Sequence, residues 1–325
     1  MFSPKIKDEN STLKILNISN SHGEDAVWQL PNVLKSEMPN RNFVVAECYF
    51  SGALTEHVEN AKQNKEVYFY SFNSDGFSWH TPDGINNPSS YLTEEERQYA
   101  IKNKKHFTIE YALKQEKWDV IMFNESCRHL GLENIMKKGL IDWFLNYIYS
   151  IIDYKPMLIY ETTWANPTDE AFYTDPARQT APPNFKATYT NNYGFNKINH
   201  YNKLMEMAKK YVLPNPAFDL VIDTTTPIHY ATEVLGVPQS SSDRIFDAYR
   251  DYTHLSDFSR VIVAYTIYAN IFGIKSLTEV KTERVYAQTR PTHREISLGD
   301  LVLTDKHKDV IIKSVNETLA HPFNL

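Results

Sequence analysis

The chain carries only two cysteines, Cys48 and Cys127, in 325 residues. That is too few for a disulfide framework, and neither sits in the paired Cys/His spacing of a zinc site. A metal would need oxygen ligands, and no loop is spaced to supply them, so neither metal nor cofactor is expected. Positive charge is also short. Lys and Arg number 34 against 40 Asp and Glu, a net charge of -6, and no basic run reverses this locally. Nucleic acid and anionic membrane surfaces are thereby excluded as general partners. No apolar run reaches the roughly 18 residues of a membrane span. The opening MFSPKIKDENST lacks the apolar stretch of a secretory leader. A soluble chain is expected, cytoplasmic by default, or secreted or periplasmic if a leader has been removed. Oligomeric state is left open. Internal repeats and low-complexity tracts are missing too. What remains is ordinary, 42% hydrophobic and 23% charged, enough for a large core in one domain with or without appendages.

Short apolar runs rich in β-branched and aromatic residues mark the strands: LKILNIS from residue 13, NFVVAECYF at 42–50, WDVIMFN at 118–124, KPMLIYETTW at 155–164 and a weaker FDLVID at 218–223. Helical segments at 26–38, 55–63, 133–152 and 197–211 alternate with them. This is the signature of a doubly wound α/β parallel sheet covered on both faces. Three insertions stand out. EVYFYSFNSDGFSWHT at 66–81 reads as a hairpin around Asn73-Ser74-Asp75-Gly76. Thr93 and Glu96 form a capping box for a helix over 93–105. The stretch 166–190, with four prolines and no period, reads as a long loop over the carboxyl edge of the sheet. An amphipathic helix at 256–272 is followed by a polar segment and a closing helix at 304–319. The organisation expected is an extension at 1–12, a domain at 13–273 and a C-terminal extension at 274–325.

Ser21 lies where the first strand breaks into a helix, at the edge where open α/β folds hold ligands. Read alone, it is a helix cap. As a nucleophile, a serine hydroxyl needs an imidazole base, and the imidazole needs an orienting carboxylate. YRDYTHLSDFSR near the far end supplies both, with Asp251 three residues before His254 on one turn.

These residues resemble the blocks of the SGNH, or GDSL, hydrolase superfamily. Ser19-Asn20-Ser21 stands for the Gly-Asp-Ser-like turn, departing at two positions, with the middle Asn found in one bacterial branch. Gly52 follows strand two, Asn124 follows strand three, and Asp251 with His254 form the Asp-x-x-His block. Thr163-Trp164 and His254-Leu255-Ser256 also match that branch. The resemblance spans roughly 13–273 and implies a flavodoxin-like three-layer sandwich. It further implies a Ser21, His254 and Asp251 triad, with the amides of Ser21 and Gly52 and the Asn124 side chain as the oxyanion hole. The activity implied is a serine esterase that removes a small acyl group, acetyl, from a carbohydrate. The alternatives are a non-catalytic carbohydrate-binding or structural module, and a thioesterase or lipase. Trp79 and Trp164 are candidate platforms for a sugar ring, and Glu125 and His129 candidate cleft residues. His22 is read as a surface residue, His57 as a pocket or surface histidine, and Glu24 and Asp25 as favouring a helix amino terminus.

Overall fold

The computed structural model describes residues 6, 8, 10–65, 67–74, 76–79, 108–174, 181–241, 246–285 and 301–324. Seven strands form one sheet: β1 Leu13–Ser19, β2 Phe43–Tyr49, β3 Tyr68–Asn73, β4 Gly76–Trp79, β5 Val120–Asn124, β6 Met157–Glu161 and β7 Leu220–Ile222, in the order β4-β3-β2-β1-β5-β6-β7. β2, β1, β5, β6 and β7 are parallel neighbours, while β3 and β4 run antiparallel at one edge. The hairpin expected at 66–81 is therefore not a separate insertion. It extends the main sheet, and Tyr70 and Phe72 pack with Trp28 and Tyr49 in a small aromatic core.

Helices cover both faces: α1 Ser21–Trp28, α2 Leu30–Glu37, α3 Leu54–Lys62, α4 Ile109–Gln115, α5 Leu140–Ile151, α6 Pro183–Tyr193, α7 Lys197–Met207, α8 Thr225–Glu233, α9 Asp257–Phe272 and α10 Asp305–Ala320. The parallel strands are buried on both sides, so their apolar residues divide by parity between two cores. Leu13, Ile15, Val120, Met122 and Ile159 join the core under α1, α2, α8, α9 and α10. Leu16, Ile18, Ile121, Phe123 and Leu158 join the one under α3, α4, α5 and α7. The result is the expected three-layer α/β sandwich. The chain passes from β1 to β2 on one side and returns to β5 on the other, so the strand order reverses between β1 and β5, and the carboxyl ends at such a reversal are where open α/β sheets hold ligands.

Three expectations change. The helix expected over 26–38 is two, starting at Ser21 and broken after Trp28, with Pro31 in the first turn of α2. The segment 166–190 is not all loop. Pro182 and Pro183 begin the eleven-residue α6, closed by Gly194 at φ 67, because proline is preorganised for a helix's first turn. Residues 93–105, with the expected capped helix, lie outside the described residues. Finally, α9 is enclosed on nearly every side, because Val310, Ile311 and Val315 of α10 cover its outer face within the same core. Among the described residues no helix is long and apolar enough to cross a membrane.

Candidate functional site

On the face that carries α1, the parallel strands change character toward their carboxyl ends. Parity that begins with Leu13 and Ile15 reaches Asn17 and Ser19, and the same rows in β2, β5 and β6 carry Glu47, Asn124 and Glu161 near their carboxyl ends. All of these side chains are buried. A polar floor therefore lies beneath the turn from β1 into α1.

That turn decides what Ser21 does. The cap of α1 is Asn20, whose Oδ1 accepts from the His22 amide at 2.9 Å. Ser21 is the first helical residue, and its Oγ lies 2.8 Å from His254 Nε2. Nδ1 of His254 lies 2.8 Å from Asp251 Oδ2. Asp251 Oδ1 also accepts the amides of Thr253 and His254, at 2.9 and 2.8 Å, so the Asp-x-x-His spacing closes into one tight turn. Burial of Asp251 opposes its charge, but His254, Arg250 and these donors hold the carboxyl well below the usual carboxylate range. It stays ionised beside the imidazole.

The turn is anchored from behind. Asp25, fully buried, accepts from Arg250 Nη1 at 3.0 Å, Arg260 Nη2 at 2.7 Å and the Leu255 amide at 3.0 Å. Its role is thus larger than favouring a helix terminus, since it ties α1 to both ends of the segment carrying His254. Glu24 is likewise buried, bonded by the Tyr70 hydroxyl.

His22 is not on the surface. Its ring lies 5.5 Å from that of His254, stacked at 29°, and 5.4 Å from Trp164. Nε2 reaches Thr253 Oγ1 at 3.0 Å and Cys127 Sγ at 3.1 Å. Burial, with the nearby His254 and Arg128, pushes the imidazole well below the usual range, so it is neutral. Asn166 Oδ1 receives both the Thr253 hydroxyl at 2.9 Å and the Cys127 thiol at 3.1 Å. Trp164 is wholly enclosed and donates to the Thr253 carbonyl at 2.8 Å. It braces the His254 turn and offers no face to a sugar.

Gly52 follows β2, whose last residue, Tyr49, pairs with Ser19, so it belongs to the same sheet edge. A Cβ there would lie 2.9 Å from that of Glu56. Asn124 ends β5 and points its Nδ2 at Asn20 Oδ1, 3.4 Å away. Glu125 does not line an open cleft. It is buried, and its Oε1 accepts the amides of Leu54 and Ser126 at 3.0 and 2.7 Å, capping α3; burial raises its carboxyl to about 7. His129, half-exposed, stands 3.8 Å from it. His57 is buried and lowered by burial to about 4. β4 holds the Trp79 backbone, but its side chain lies outside the described residues. Among the described residues no three His, Cys, Asp or Glu side chains are grouped to hold a metal.

The DUF4886 family, described as a domain of unknown function, matches residues 14–295. The chain belongs to the DUF4886 family. A crystal structure of a DUF4886 family protein from Bacteroides uniformis ATCC 8492 is similar over 96% of each chain, with a TM-score of 0.65 and 20% identity; this likeness is one of fold. A Slackia heliotrinireducens protein provisionally described as an SGNH hydrolase aligns with 80% of this chain and 100% of its own, at 12% identity and a TM-score of 0.40. No curated protein matches.

In this DUF4886 chain a cavity of about 160 Å³ opens beside the His254 turn, between Arg128 and α6. Phe185, Tyr189 and Tyr193 floor it, and Asn184, Thr188 and Asn192 stand on its rim. Ser21 is not among its walls. The two places are joined through Phe185, whose ring lies 4.6 Å from that of Tyr252. Sequence reasoning missed His22, Asp25, Glu161 and the Cys127, Thr253 and Asn166 cluster as parts of the site. The one available signal was polar residues where buried strands should be apolar, as in Asn17, Glu47 and Glu161.

Proposed function

We propose that the chain is a serine hydrolase of the SGNH type that removes a short acyl group, acetyl, from a carbohydrate ester. The observation that carries this reading is the continuous hydrogen-bonded line from Ser21 Oγ through His254 to Asp251 at the carboxyl edge of the sheet. Ser21 Oγ attacks the ester carbonyl as His254 Nε2 takes its proton. Asp251 accepts from His254 Nδ1 and stabilises the imidazolium. The tetrahedral oxyanion meets the amides of Ser21 and Gly52 and the Nδ2 group of Asn124. His254 then protonates the departing sugar hydroxyl, leaving an acyl-serine. Water, deprotonated by the same imidazole, releases the acid and restores Ser21. The carbohydrate acceptor is supported by the neighbouring cavity, whose rim of amides and a hydroxyl above an aromatic floor suits a sugar.

A fluorophosphonate probe tests the chemistry, with labelling expected in the wild type and lost in Ser21→Ala. Absence of label in the wild type would leave a non-catalytic binding module in its place. Acetate release from acetylated oligosaccharides, compared with p-nitrophenyl esters of rising chain length, tests the substrate. Activity that climbs toward long chains, with no release from any acetylated sugar, would replace the carbohydrate reading with a lipolytic one.

A further inference from the structure

Glu161 is the anomaly of the polar floor. It is fully buried, neither carboxyl oxygen has a hydrogen-bond partner, and no cation among the described residues pairs with it. Its neighbours are otherwise engaged. Glu47 accepts from Ser19 Oγ at 2.6 Å and Asn17 Nδ2 at 2.9 Å, and Glu24 from the Tyr70 hydroxyl. An isolated buried carboxylate is far costlier than a neutral acid, and burial pushes the Glu161 carboxyl well above the usual range. A neutral Glu161 has one O–H to give.

An acceptor without a donor stands beside it. Asn124 and Glu161 are register partners on the parallel strands β5 and β6, so their side chains share the α1 face. Asn124 Oδ1 is buried and unpartnered as well. Asn124 Oδ1 and Glu161 Oε1 each lie 2.8 Å from the point where a Cβ on Gly23 would sit, so they converge on one spot that only glycine leaves open. Asn124 itself has one sensible orientation. With Nδ2 toward Asn20 Oδ1 it makes a donor-acceptor contact, whereas a flipped amide would set two acceptors together.

We propose that Glu161, as a neutral acid, donates its O–H to Asn124 Oδ1 and is a positioning residue for the oxyanion hole. The proton stays on Glu161 throughout. Its work is to hold the Asn124 amide so that Nδ2 faces the nucleophile turn before the substrate's charge develops. This rests on the esterase reading above.

The test uses p-nitrophenyl acetate kinetics, fluorophosphonate labelling and infrared spectra of the full chain. Glu161→Leu should lower kcat by about 10- to 100-fold with KM unchanged, as expected when a transition-state donor is misplaced and not removed. Glu161→Gln keeps a donor and should stay within about threefold of wild type. In an Asn124→Ala background, Glu161→Leu should cost nothing more, because its route of action is gone. The infrared difference between wild type and Glu161→Gln near neutral pH should contain the band of a protonated carboxyl, a result that needs no activity and remains available if the Leu variant does not fold. Wild-type kcat in Glu161→Leu, additive losses in the double variant, or absence of the protonated band would each overturn the proposal while labelling of Ser21 persisted. A wild type that takes no label would overturn the esterase reading itself, and this one with it.

Discussion

Ser21 owes its free hydroxyl to Asn20, which takes over the capping of α1, and His254 owes its orientation to two oxygens of Asp251. Replacing Asp251 with Asn would keep the shape of that turn. An amide nitrogen facing Nδ1, however, favours the imidazole tautomer with its proton on the wrong side. Asp251→Asn should therefore keep the native fold, at some cost in stability from the lost charge, and lower kcat for p-nitrophenyl acetate by about 10³- to 10⁴-fold. The types of these residues were legible because nucleophilic chemistry requires them, and their places in the chain because the blocks resemble those of SGNH hydrolases. His22 and Trp164 were not. Each stands where it does because segments about 230 and 90 residues away fold against it, and nothing in their immediate sequence states which way they face.

Among elements, α6 shows how the same signal supports opposite readings. The prolines at 182 and 183 marked a loop in the sequence, yet at a first turn they start a helix. The helical period was present in Phe185, Tyr189 and Tyr193, four residues apart, but the prolines outweighed it in the reading. α1 was more informative, since strand, polar turn and helix were all readable, though its buried acid was not. Asp25 couples α1 to Arg250 and to Arg260 of α9. Removing it takes their shared buried partner from two guanidinium groups, leaving Arg260 with Asp257 and Arg250 with the Leu255 carbonyl. Asp25→Ala should cost about 3–5 kcal/mol by urea denaturation, and the surviving folded protein should lose activity because the His254 turn loses its anchor. A loss below about 1 kcal/mol, the scale of a surface pair, would show that the coupling is unimportant.

At the scale of the molecule, the existence and parallel sense of β1, β2, β5, β6 and β7 followed from alternating strand and helix patterns, but their order across the sheet did not. The burial of α9 did not, because its covering residues arrive some fifty positions later on α10. The buried ionisable groups shape stability against pH. Burial lowers His57, His200 and His229 to about 4, and His22 well below its ordinary 6.5. As pH falls below 6.5, the unfolded chain gains protons on these histidines that the native state refuses, so stability drops. Burial raises Glu47 and Glu161 well above their ordinary 4.5, and Glu125 to about 7. The native state keeps protons there that the unfolded chain gives up, so stability drops as pH climbs above 4.5. Between 4.5 and 6.5 the two trends oppose. Denaturation across pH should give a broad, nearly flat maximum in that window and decline on both sides. A steady rise from 5 to 8 would contradict the neutral burial of these carboxyls.

The bond between Ser21 and His254 closes a span of 233 residues, and β1, the strand that leads into Ser21, is the centre of the sheet. Closing so long a span costs chain entropy that only completed packing on both faces can offset. Helices and partial sheet can assemble during refolding while the nucleophile still lacks its base. On the proposed esterase reading, activity should therefore return last in refolding, behind the far-UV signal of helix and sheet, and a partly assembled chain would carry a serine hydroxyl of ordinary, low reactivity.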